Sequence, residues 1–152
     1  MSKSEQYVVS LREIDVRLDK GGDLIGDLGN TAAVLKKRLG FFWVGFYFVN
    51  TDRLVLGPFQ GAPACVFLPY GEGVCGTCAS EKQTILVPDV RAFSGHIACD
   101  PDSRSEIAVP VFDREDRLRA VLDVDSNRPD AFDETDRVYL EKLAHTIGSH
   151  WK

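Results

Sequence analysis

The sequence has little that would tie it to a membrane or to a nucleic acid. Its longest apolar run, Phe41 to Val49, is far too short to span a bilayer. The opening residues, Met1-Ser2-Lys3-Ser4-Glu5-Gln6, carry no apolar segment of the kind a secretory signal needs. Positive charge is scarce: 18 Lys and Arg against 23 Asp and Glu give a formal net charge of −5. The one basic run, Lys36-Lys37-Arg38, falls at the end of a predicted helix, where it matches the helix dipole. Neither nucleic acid nor an anionic membrane is therefore expected as a partner, since both demand clustered Lys and Arg. Internal repeats, linkers and low-complexity segments are also missing. A cytoplasmic location is expected, and there the four cysteines should rest as thiols, which favours catalysis or metal binding over structural bridges.

What is present fits one domain over residues 1–152, long enough to form a core without disulfide or metal. Leu28, Ala32, Leu35 and Leu39 recur at helical spacing, Gly40 is placed to stop that helix, and Gly21-Gly22 separates it from an earlier one over roughly Glu5 to Leu18. From Phe41 the pattern changes to strands: Phe41–Val49, Arg53–Phe59 after the turn Asn50-Thr51-Asp52, Ala64–Leu68, Thr84–Val87, Ser105–Phe112 and Leu118–Val124. Pro110 requires a bulge or an unpaired edge in its strand. Val74–Lys82 reads as a short helix, Asp89–Arg104 has no period, and Asp133 caps a last helix whose apolar stripe is Leu140, Leu143, Ala144 and Ile147. The fold class is α+β: about six antiparallel strands, with N-terminal helices and a C-terminal helix packed on the sheet.

Cys65, Cys75, Cys78 and Cys99 all lie mid-chain, which concentrates any site there. Taken singly each reads as a small buried hydrophobe. Cys75-x2-Cys78 with His96-x2-Cys99 has the paired spacing of a tetrahedral zinc site, but leaves Cys65 without a role. Cys75-Gly76-Thr77-Cys78 is also a C-x-x-C, although it lacks the parallel βαβ setting that would make it thioredoxin-like. Redox chemistry between distant thiols suits Cys99, in an irregular segment three residues after His96, whose imidazolium would lower a thiol pKa. Asp100 beside it acts in the opposite sense.

Asp123 and Asp125, at i and i+2, share one face of a strand and suit an ammonium group or a shared proton. Asp125 also reads as a strand end entering a turn, whereas Asp123 sits inside an apolar run. Glu106, at the start of the preceding strand, reads by itself as a solvated strand end. Trp43 and Tyr47 share a strand face, as core packing or as the apolar wall of a ligand pocket.

The runs Leu56-Gly57-Pro58-Phe59-Gln60-Gly61, Gly73-Val74-Cys75-Gly76-Thr77, Gly95-His96-Ile97-Ala98-Cys99-Asp100, Ser105-Glu106-Ile107 and Val121-Leu122-Asp123-Val124-Asp125-Ser126 occur in one order along the chain. Together they resemble the free methionine-(R)-sulfoxide reductases, stand-alone GAF-domain enzymes, over nearly the whole length. The resemblance implies a GAF-like fold and reduction of free methionine (R)-sulfoxide. It implies Cys99 as nucleophile and Cys65 as the thiol that resolves it. For Cys75 it leaves two roles open, alternative nucleophile or resolving thiol. It implies Glu106, Asp123 and Asp125 as substrate-binding acids and Trp43 and Tyr47 as the aromatic wall. Neither cofactor nor metal is expected. The expected partners are the free sulfoxide and a thioredoxin-type reductant, with a homodimer left open. Cys78 departs from the family pattern, which has a small residue other than cysteine there. The competing reading is a GAF-type sensing module that binds a small molecule without chemistry, and 152 residues leave little room for an output domain beside it.

Overall fold

The computed structural model describes residues 1–152. Two helices come first, α1 (Lys3–Asp19) and α2 (Leu24–Leu39). Ser2 and Glu5 form a capping box that starts α1 ahead of the predicted Glu5. Gly40 ends α2 in the left-handed conformation, where its missing Cβ removes the steric penalty. Strands β1 (Trp43–Val49), β2 (Arg53–Gln60) and β3 (Phe67–Pro69) follow, then helix α3 (Gly73–Glu81) and strand β4 (Ile85–Val87). A 3-10 turn at Val90–Ala92 lies within the irregular segment. The long hairpin β5 (Ser105–Phe112) and β6 (Leu118–Ser126) leads to helix α4 (Glu134–Ser149), capped by Asp133.

The six strands form one sheet in the order β3-β2-β1-β6-β5-β4, antiparallel at every pairing. The expected α+β architecture is observed. Pro110 lies past the residues of β5 that β4 pairs, and a bulge follows at Val111/Phe112. Both accommodations predicted for it are thus present.

Alternation along the strands gives the sheet two different faces. Val44, Phe46, Ile107, Val109, Val111, Ala120, Leu122 and Val124 meet α1, α2 and α4 in the larger core. Trp43, Tyr47, Leu54, Ala108 and Val121 point to the other side, where α3 and the connecting loops cover them. The functional candidates lie on this second face.

Two boundaries differ from the sequence reading in ways that matter for the site. The third strand begins at Phe67 rather than Ala64. The preceding residues form a loop held by side chains of β1: Trp43 Nε1 donates to the Ala62 carbonyl at 3.0 Å, and the Tyr47 hydroxyl to the Cys65 carbonyl at 2.9 Å. β6 runs on to Ser126, because Asp125 pairs with Trp43 on one side and Glu106 on the other. Asp125 therefore belongs to the sheet and not to the turn.

Candidate active site

The register of three adjacent strands assembles the site. One row across the sheet is Trp43–Asp125–Glu106, and the next is Gly45–Asp123–Ala108. Tyr47 opposes Val121 in the row after that. Large or charged side chains thus surround a floor of Gly45 and Ala108. Gly45 is required there: a Cβ would lie 2.4 Å from Phe59 Cβ and 2.8 Å from the Trp43 ring. That close approach lets Trp43 stack between Phe59, at 5.3 Å, and Tyr47, at 6.2 Å.

Above this floor is a cleft with about 570 Å³ of space, part of it open to solvent. Trp43, Tyr47, Cys75, Cys99, Glu106, Asp123 and Asp125 all line it. Cys65 adjoins rather than lines it, and is joined to Cys99 by a disulfide with a Cα–Cα distance of 5.4 Å. The expectation of resting thiols therefore holds for Cys75 and Cys78 but not for this pair. The loop 61–66, tied down by Trp43 and Tyr47, meets the irregular segment 93–104 there. No sequence spacing encodes that meeting.

The carboxylates are packed without a cation. Glu106 and Asp123 are buried, 8% and 4% exposed, so the solvated strand end read for Glu106 is overturned. Its position opposite Asp125, beneath α3, removes it from water. Burial, followed by the charges of Asp123 and Asp125, pushes the Glu106 carboxyl far above its usual range. Burial and the Asp123 charge raise Asp125 in the same way, against a hydrogen bond from Glu106. Burial also raises Asp123, but the neighbouring Glu106 and Cys75 side chains oppose that shift. Burial is thus the first cause of the upward shift in all three carboxyl groups. The Oδ1 atoms of Asp123 and Asp125 are buried with no hydrogen-bond partner, an arrangement that calls for a donor from a ligand.

Cys75 occupies the first turn of α3, within the helix expected over Val74–Lys82. Its thiol donates to Glu106 Oε2 at 3.6 Å. Burial, then the charges of Asp123, Glu106 and Asp125, pushes that thiol well up, and burial does the same for Cys78. Both are poor thiolates as they stand. The four-ligand zinc pattern is not assembled, because the Cys99 sulfur is bonded to Cys65. The C-x-x-C has only antiparallel strands around it. His96 lines the cleft, and burial lowers its pKa, which works against the imidazolium first considered. Sequence reasoning missed Ser103 and Glu72 as lining residues; neither stands in a pattern that sets it apart from ordinary loop polarity.

A GAF domain family model matches residues 28–151. GAF domain-containing protein A of Dictyostelium discoideum is 46% identical over 93% of this chain and 90% of its own length. The free methionine-R-sulfoxide reductase of Escherichia coli (strain K12) is 41% identical over 94% of this chain and 87% of its own. The X-ray structure of free methionine-R-sulfoxide reductase from Neisseria meningitidis in complex with its substrate superimposes with a TM-score of 0.95. It is 45% identical, over 99% of this chain and 90% of that one.

Proposed function

The chain belongs to the free methionine-R-sulfoxide reductases of the GAF-domain family, and from that premise we propose that it reduces free L-methionine (R)-sulfoxide through Cys99 and Cys65. The observation that carries the reading is the cleft itself. Two unpartnered buried carboxylate oxygens, an aromatic wall and the disulfide-bonded Cys99 face one space.

Asp123 and Asp125 hold the substrate ammonium, which supplies the missing donors and the missing positive charge together. Trp43 and Tyr47 pack against the methyl sulfoxide end. Glu106, kept protonated by burial and then by its acidic neighbours, gives a proton to the sulfoxide oxygen as it gains negative charge. In the reduced protein the Cys99 thiolate attacks the sulfur. Methionine leaves, and the oxygen ends on Cys99 as a sulfenic acid. The Cys65 thiol condenses with it, releasing water and forming the disulfide. An external dithiol of thioredoxin type returns both residues to thiols, becoming a disulfide itself. Cys75, protonated and hydrogen-bonded to Glu106, orders the acidic group rather than attacking the substrate.

Thioredoxin-coupled turnover of free (R)- and (S)-sulfoxide by wild type and Cys99→Ser tests the proposal. R-selective turnover that disappears in Cys99→Ser is expected. Absence of turnover by folded, reduced wild type, with a chemical dithiol tried as well, would leave a binding module without chemistry.

A further inference from the structure

Cys75, Glu106 and Asp123, which the proposed reaction uses separately, also form one compact group of metal-ligating side chains. One ligand atom from each lies within 4.8 Å of the other two, and all three residues are buried. Asp123 is 4% exposed, with an oxygen that has no partner. None of the protein's salt bridges supplies a Lys or Arg to these acids. The Cys75 sulfur is 3.6 Å from Glu106 Oε2. In a tetrahedral zinc site, with Zn–S of about 2.3 Å and Zn–O of about 2.0–2.2 Å, the sulfur–oxygen edge is also about 3.6 Å.

We infer that Cys75, Glu106 and Asp123 constitute a binding site for a zinc-like divalent cation, with its fourth coordination position open to the cleft. One thiolate and two carboxylates select a borderline-soft ion over magnesium or calcium. On binding, the Cys75 thiol and the protonated Glu106 give their protons to solvent, and the metal replaces them. The ion also occupies the carboxylate needed by the substrate ammonium. Zinc and the amino acid therefore exclude one another. This exclusion, unlike the binding, rests on the function proposed above.

Cadmium reports the site directly, because its bond to a thiolate gives a near-ultraviolet charge-transfer band. The titration uses full-length untagged protein with the Cys65–Cys99 disulfide closed and carrying Cys78→Ala, so that Cys75 is the single free thiol. One equivalent of Cd²⁺ is expected to generate the band, and Zn²⁺ to remove it by displacement. Cys75→Ser should abolish it. Asp123→Asn and Glu106→Gln, which keep the side-chain shape, should each weaken Cd²⁺ binding at least about ten-fold, with circular dichroism confirming that each variant is folded. No band at one equivalent, or unchanged affinity in both folded carboxylate variants, overturns the site. In turnover assays Zn²⁺ is expected to raise KM for the sulfoxide without lowering kcat; a fall in kcat at unchanged KM overturns the exclusion. Should the protein reduce no sulfoxide at all, the cadmium titration still decides the site.

Discussion

Glu106, Asp123 and Asp125 lie side by side on β5 and β6, and folding raises the pKa of all three, burial being the first cause in each case. A carboxyl raised in this way stabilises the folded state fully below its unfolded value, near 4, and the contribution is lost as pH rises through the folded value. The substrate-free protein should therefore lose stability between weakly acidic and neutral pH. Glu106→Gln, which cannot ionise, should flatten that slope. Thermal unfolding of both proteins from pH 5 to 8 measures it, and parallel slopes would refute the assignment. Asp125→Asn addresses binding instead. Loss of one charge-assisted hydrogen bond, about 1.5–3 kcal/mol, corresponds to a rise in KM for free sulfoxide of about ten- to a hundred-fold, with a smaller change in kcat. Steady-state kinetics at saturating reductant give that ratio.

At the scale of the element, the site depends on how β1 lies against its neighbours. Gly45→Ala would drive a methyl group into Phe59 and Trp43. We expect a loss of about 1–3 kcal/mol in stability, with weaker substrate binding because the indole is displaced. Denaturant unfolding and substrate titration of the variant follow both effects. On the opposite face, α1 and α4 are joined through one buried group. The Tyr7 hydroxyl donates to Asp136 at 2.6 Å, Lys3 donates to the same carboxylate at 2.7 Å, and Asp136 accepts from the Asp133 backbone N–H at 2.8 Å. Tyr7→Phe removes one of these partners and should cost about 1.5–3 kcal/mol. The change should appear in thermal unfolding without altering KM, because Tyr7 belongs to the core on the far side of the sheet.

For the whole molecule, the disulfide links two segments 34 residues apart, and neither belongs to a helix or strand. Chain entropy assigns a loop of that length about 3–4 kcal/mol of stabilisation. Reduction should therefore lower the unfolding temperature while keeping the secondary structure. Faster amide exchange should be confined to residues 61–66 and 93–104, since the sheet, α1, α2 and α4 do not depend on the bridge. Exchange spreading into β1 or β6 would show that the bridge supports the core instead.

The sequence by itself determined the order of helices and strands, because helical and alternating apolar periods are local properties of the chain. It also determined the common strand face of Asp123 and Asp125, and that of Trp43 and Tyr47, because a strand alternates with period two. The position of Glu106 depended on the pairing of β5 with β6, and its burial on α3, neither of which is encoded near residue 106. The extent of the β1–β6 pairing placed Asp125 within the sheet. Cys75 was legible as a thiol in a short helix, but its acid-lined setting was not, since three carboxyl groups from two strands create it. The bridge between Cys65 and Cys99 required two irregular loops to meet, and one of them is held by side-chain hydrogen bonds to carbonyls 18 and 19 residues away. Periodicity reports which way a side chain faces. Only the tertiary structure decides what it faces, because burial, charge proximity and thiol approach depend on residues distant in sequence.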